Sequence, residues 1–193
     1  MRTIRFALPA TLALALAACA QSPPTAVSED LSSAFGPDDL AFRTSKNPVP
    51  VVVHGRVAGL DHKTLVQTVT NDMQGSTWGP DPRFVPTSSR MISSGNNEYS
   101  IIMMVNGPQA ITAAQLCAEP TARAGAVSAG AVGDVSLIGA LCRYDQAITG
   151  VSARTANVQS ANDPAFHRLI ASTANDLTSP RRIGTPQSLD TDD

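Results

Sequence analysis

Between Val49 and Leu177 apolar residues recur at two spacings, one of strands and one of helices. Val49-Pro-Val-Val-Val53 is a β-branched run that reads as a strand. Downstream, Leu65, Val66, Val69 and Met73 fall on one helical face. Asp61 suits the N-cap of that helix, Leu60 can staple onto Leu65, and Gly75 supplies a stop. Glu98 to Asn106, containing Tyr99-Ser-Ile-Ile-Met-Met-Val105, is almost continuously apolar, which predicts a strand buried on both faces and central in a sheet. Thr112-Ala-Ala-Gln115 is a capping box, with Ile111 and Leu116 placed to staple around it; this helix carries Cys117 and should end before Pro120. Val135–Tyr144 and Ala147–Ala156 alternate as two strands of a hairpin turning at Asp145-Gln146. Asp163-Pro164 opens a last helix whose apolar face is Phe166, Leu169, Ile170, Thr173 and Leu177.

The predicted order is β-α-β-α-β-β-α over residues 49–178. Helices dispersed among few strands imply an α+β two-layer sandwich, with a small, mainly antiparallel sheet and the helices on one face. Two stretches resist the pattern. Gly75 to Asn97 is a long irregular segment in which Arg83–Pro86 can add a short edge strand. Thr121 to Asp134 is mostly Ala, Gly and Val and reads as a connection of undefined shape.

The flanks read differently. From Ala20 to Pro48 the chain is rich in Ser, Pro, Asp and Gly, as in Gln21-Ser-Pro-Pro-Thr25 and Gly36-Pro-Asp-Asp39. Such a segment buries too little to offset its ordering entropy and is expected to be a flexible tether, with one or two of Leu31, Phe35, Leu40 and Phe42 docking on the domain. Residues 179–193 read as a loose tail. At the other end, Arg2 and Arg5 precede an uncharged run from Phe6 to Leu16. That is the pattern of a secretory signal, too short for a spanning helix of about 20 residues. It ends in Leu16-Ala17-Ala18-Cys19, which resembles the lipobox of bacterial lipoproteins.

That resemblance covers residues 1–19 only. It implies removal of residues 1–18 and acylation of the Cys19 thiol and amine with palmitate-type chains, two or more of which anchor stably. The alternative is a simple signal peptide cut after an Ala-x-Ala-like site, with Cys19 incidental. With Ala20 rather than Asp beside Cys19, the resemblance implies the outer membrane, periplasmic face, ahead of the inner membrane. No other apolar run is long enough to span a bilayer.

Of 14 basic residues, Arg2 and Arg5 leave with residues 1–18, so the mature chain carries 12 against 16 acidic ones, a net charge of −4. No basic stripe is present, which argues against a nucleic-acid partner. Two cysteines remain beyond Cys19, namely Cys117 and Cys142. In an oxidising periplasm two leftover thiols in a small domain usually pair. Closing that loop stabilises by about 3.5 kcal/mol on chain-entropy grounds. Two buried free thiols or a redox pair are the alternatives, the latter without a Cys-x-x-Cys.

Chemistry is thinly signalled. His54, His62 and His167 are the only histidines and show no metal-ligand spacing, so no metal is expected. Gly125-Ala-Val-Ser128-Ala-Gly130 misses the nucleophile-elbow pattern at position 126. There is no phosphate loop and no dinucleotide fingerprint, hence no expected cofactor. The chain's one Trp, Trp78, lies with Phe84 among prolines in the long loop. The pair reads either as a platform for an envelope protein or glycan, or as aromatics folded back to cap the sheet. The expectation is a non-enzymatic binding or accessory module of the cell envelope. A small periplasmic hydrolase, or a small-ligand carrier whose site the sequence does not mark, is the alternative.

Overall fold

A computed structural model describes residues 25–30, 47–57, 59–77, 81–94, 98–108, 110–120, 133–160 and 162–179. Among the described residues, six strands form one sheet: β1 Thr25–Asp30, β2 Val49–Gly55, β3 Phe84–Pro86, β4 Tyr99–Val105, β5 Val135–Arg143 and β6 Gln146–Thr155. The helices among the described residues are α1 His62–Met73, α2 Ser89–Ser94, α3 Ala113–Ala118 and α4 Pro164–Thr178. The spatial order is β1-β6-β5-β4-β2-β3. β2 pairs in parallel with β3 and β4, and the other three pairings are antiparallel, so the sheet is mixed and mainly antiparallel.

The central strand is where the apolar run placed it. β4 lies between β5 and β2, and all seven of its residues are buried. Burial on both faces requires cover on both. On one face α1 and α4 pack Leu65, Val69, Met73, Phe166, Leu169 and Ile170 against Val51, Val53, Ile101, Met103 and Leu137. The two long helices thus share a face. On the other, the short helix α3 lays Ala113, Leu116 and Cys117 over Val52, Ile102, Met104, Ala140 and Cys142.

The helix ends obey local chemistry. Asp61 caps α1 by accepting from Thr64 N–H at 3.0 Å. Both halves of the α3 capping box form, Gln115 N–H to Thr112 Oγ1 at 3.2 Å and Thr112 N–H to Gln115 Oε1 at 3.1 Å. Asp163 caps α4 through Ala165 N–H at 2.8 Å, with Pro164 in the first turn.

Three features differ from the expectation. The sheet begins inside the segment read as a tether: Thr25–Asp30 pairs antiparallel with β6. Val27 is 64% exposed there, so the strand answers to the free backbone donors and acceptors of β6 rather than to a hydrophobic signal. The long irregular stretch contains α2 as well as the short β3. The hairpin turns one residue earlier than predicted, because Arg143 pairs with Gln146 and leaves Tyr144-Asp145 as the turn. One glycine is obligatory. Gly55 ends β2 at φ +96°, and a Cβ there would lie 1.8 Å from the Val105 carbonyl oxygen.

Candidate functional site

The residues singled out from the sequence scatter over the molecule. Cys19, Trp78 and Ser128 lie outside the described residues. Phe84 is 3% exposed and belongs to the core beneath α1, where Gln74 fixes its backbone: Gln74 Nε2 donates to Phe84 O at 2.8 Å and Phe84 N–H donates to Gln74 Oε1 at 3.3 Å. A partner-binding role for the Phe84 side chain is therefore corrected to a packing role. In a strand next to β2, its ring is buried in the core cluster and is not available to a partner.

Cys117 and Cys142 are joined, with Cα atoms 5.6 Å apart. Both are buried, and the bond ties α3 to β5.

The three histidines occupy different environments. His62 is exposed in the first turn of α1. His54, near the end of β2, is 6% exposed, and its Nε2 finds no hydrogen-bond partner among the described residues. Burial pushes its pKa below the usual histidine value; a bond to the Pro120 carbonyl opposes this, and nearby His62 adds to it. His167, at the start of α4, meets Asp72 in the last turn of α1, with Nδ1 to Oδ2 at 2.6 Å. Asp72 is the more buried of the two. Burial pushes its carboxyl above the ordinary carboxylate range, against the His167 hydrogen bond and charge.

The Asp72–His167 pair was missed in the sequence, and no local signal could have found it, because 95 residues separate the partners. Each residue also opposes its own helix dipole, an acid at a C-terminus and a base at an N-terminus. Chemically, a carboxylate on Nδ1 orients the imidazole and leaves Nε2 for proton exchange, the arrangement of a general base. Among the described residues, no group of three or more His, Cys, Asp or Glu is placed to hold a metal.

Two surface features complete the inventory. An open groove of about 560 Å³ runs between β2, β3, α1 and α2, lined by Pro48, Pro50, Val66, Val85, Pro86 and Met91 among others. At the same end of the sheet the β5–β6 turn projects Tyr144, which is 62% exposed and has φ +57°. That conformation suits Gly, Asn or Asp and is costly for a bulky residue. The turn is pinned by its surroundings. Tyr144 N–H donates to the Glu98 carbonyl at 2.9 Å, and the Arg143 guanidinium contacts Glu98 Oε1 at 2.7 and 2.9 Å.

These elements define the chain as a small α+β domain with a six-stranded mixed sheet. No protein-family model matches it, and no curated protein matches it. Among solved structures it is similar to the PelC dodecamer from Paraburkholderia phytofirmans, at TM-score 0.48 and 10% identity over 82% of this chain and 99% of that one. A single-substitution variant of that PelC aligns at TM-score 0.45 and 10% identity, covering 81% and 98%. A resemblance at this level carries no argument about function.

Proposed function

We propose that this chain is a bacterial envelope lipoprotein, acylated at Cys19 and held at the periplasmic face of the outer membrane, whose α+β domain serves as a non-enzymatic binding or accessory module. The observation that carries this is the run from Arg2 to Cys19: a short positive region, an apolar run too short to span, and Leu16-Ala-Ala-Cys19. The Cys117–Cys142 disulfide supports an oxidising compartment. Among the described residues, no helix is long and apolar enough to cross a membrane.

The test is Cys19→Ser in the full chain, followed by metabolic labelling with a palmitate analogue and density fractionation of the membranes. Label in the outer-membrane fraction that disappears in the variant is the expected result. A variant labelled as strongly as the parent, or a parent that carries no label, overturns the reading.

The oriented Asp72–His167 pair is the one observation favouring a small hydrolase instead. Loss of a hydrolytic activity in His167→Gln at unchanged melting temperature would establish that alternative.

A further inference from the structure

The strand Thr25–Asp30 limits where a lipid on Cys19 can hold the domain. Only five residues, Ala20 to Pro24, separate Cys19 from the first paired residue of the sheet. Fully extended, that link reaches about 20 Å. Were β1 not part of the sheet, the link would run from Ala20 to Pro48, with a reach of roughly 100 Å. Pairing of β1 with β6 therefore shortens the reach about fivefold.

Thr25 lies at one end of the sheet. It pairs with Arg154, which pairs with Ser136. Asn106, just past β4, donates its N–H to the Ser136 carbonyl at 2.8 Å, and its Nδ2 donates to the carbonyl of Arg56, just past β2, at 2.9 Å. These residues form a terminal row across β1, β6, β5 and the ends of β4 and β2. The Tyr144-Asp145 turn stands at the opposite end of β6, a strand of 10 residues. Such a strand measures about 30 Å, more than the link can span. Cys19 can stand beside the Thr25 end but never beside the turn.

The surface nearest the link suits a lipid interface. Val27 is 64% exposed and pairs with Ser152, and Ser152 pairs with Ile138, which packs on the α3 side of the sheet. Strand alternation puts Arg154, also exposed, on that same side, two residues from Ser152. An apolar side chain beside a guanidinium meets both layers of an interface, its methyls toward the acyl boundary and the guanidinium on lipid phosphate.

We propose that the domain is held close against the bilayer by the Thr25 end of its sheet, with Val27 and Arg154 at the phospholipid headgroups and the Tyr144 turn directed away from the membrane. The inference rests on the acylation of Cys19 proposed above.

The test uses the full acylated chain, its acyl groups verified by intact mass, added to vesicles of phosphatidylethanolamine and phosphatidylglycerol that carry an energy acceptor on some headgroups. A fluorescent amino acid replaces the exposed Ala156, just past β6 at the Thr25 end, or the exposed Asp145 in the turn. Energy transfer should place position 156 nearer the headgroups, with a height difference approaching about 30 Å. Heights that differ by less than about 10 Å overturn the proposal, since the strand length then lies along the membrane or the domain tumbles freely. Inserting about 20 Gly and Ser residues after Ala20 adds a root-mean-square length of roughly 25 Å and should abolish the difference. A difference that survives the insertion also overturns the proposal, because the short link is then not its cause. Val27→Asp combined with Arg154→Glu should weaken transfer at position 156 while the chain stays on the vesicles, and unchanged transfer refutes the headgroup contact. A chain found without acyl groups overturns the anchoring reading and this one together, whereas an acylated chain with equal heights overturns this one alone.

Discussion

The two faces of the sheet are closed by different means. Two long helices, α1 of 12 residues and α4 of 15, cover one face with stripes of large apolar side chains. The opposite face is covered at its centre by α3, a helix of six residues, too short to persist on its own. What α3 lacks in buried area it receives from a reciprocal capping box and from a disulfide to β5. A β-rich core poor in aromatics can thus keep a strand such as β4 dry on both sides with thick cover on one side and a covalent staple on the other.

The largest test of that contrast is on the thick face. Phe166, on the inward face of α4, is fully buried. Phe166→Ala should cost about 3–5 kcal/mol and lower the melting temperature by roughly 10 °C or more, read by circular dichroism. A shift of only about 2 °C would show that this face is not the main source of stability.

Next in size is the staple. Replacing both Cys117 and Cys142 with Ala should cost about 3.5 kcal/mol. The loss should be uneven, with hydrogen exchange accelerating in α3 far more than in α4. Equal acceleration in both helices would contradict the idea that the bond holds one face in particular.

Acid should act on the two faces with opposite signs. His54 belongs to the α3 face and burial lowers its pKa, so the folded chain binds its proton less readily than the unfolded chain does. Stability from this group is intact above the ordinary value of 6.5 and falls as pH drops below it toward the depressed folded value. Asp72, between α1 and α4, has a raised pKa, so its contribution increases as pH falls through that raised value. Melting temperature measured from pH 7 to pH 5 should decline, and His54→Asn should flatten the decline. A slope unchanged by His54→Asn would remove His54 as its cause.

The smallest effect belongs to neither face. Tyr144→Gly relieves a left-handed residue and should raise stability by about 1 kcal/mol, a gain of a few degrees. A fall in melting temperature would mean that the ring contributes packing its exposure does not reveal.

The caps of α1, α3 and α4, their buried stripes and the centrality of β4 were all legible in the sequence. Each rests on side chains and backbone groups within about four residues of one another, or on a run of apolar residues that must be dry on both faces. The pairing of Cys117 with Cys142 was legible as an expectation because few thiols remain after Cys19. The candidate site was much less legible. Phe84 was open to both a surface and a core reading, the core being favoured, since composition near a turn does not say which way a ring points. Asp72 gave no sign of a partner.

Sequence by itself determined the elements and their amphipathic faces, because hydrogen-bond caps and helical or strand periodicity act over a few positions. Only the tertiary structure decided the rest. Thr25–Asp30 is a strand because β6 presents an open edge, with little in its own residues to demand it. β2 pairs in parallel with β4, bringing Val51 opposite Ile101 across fifty residues of chain. The Asp72–His167 bond joins two helix ends brought together by packing that neither residue drives. These outcomes depend on partners tens of residues away, whose approach is fixed by the burial of the whole sheet rather than by any local stretch of chain.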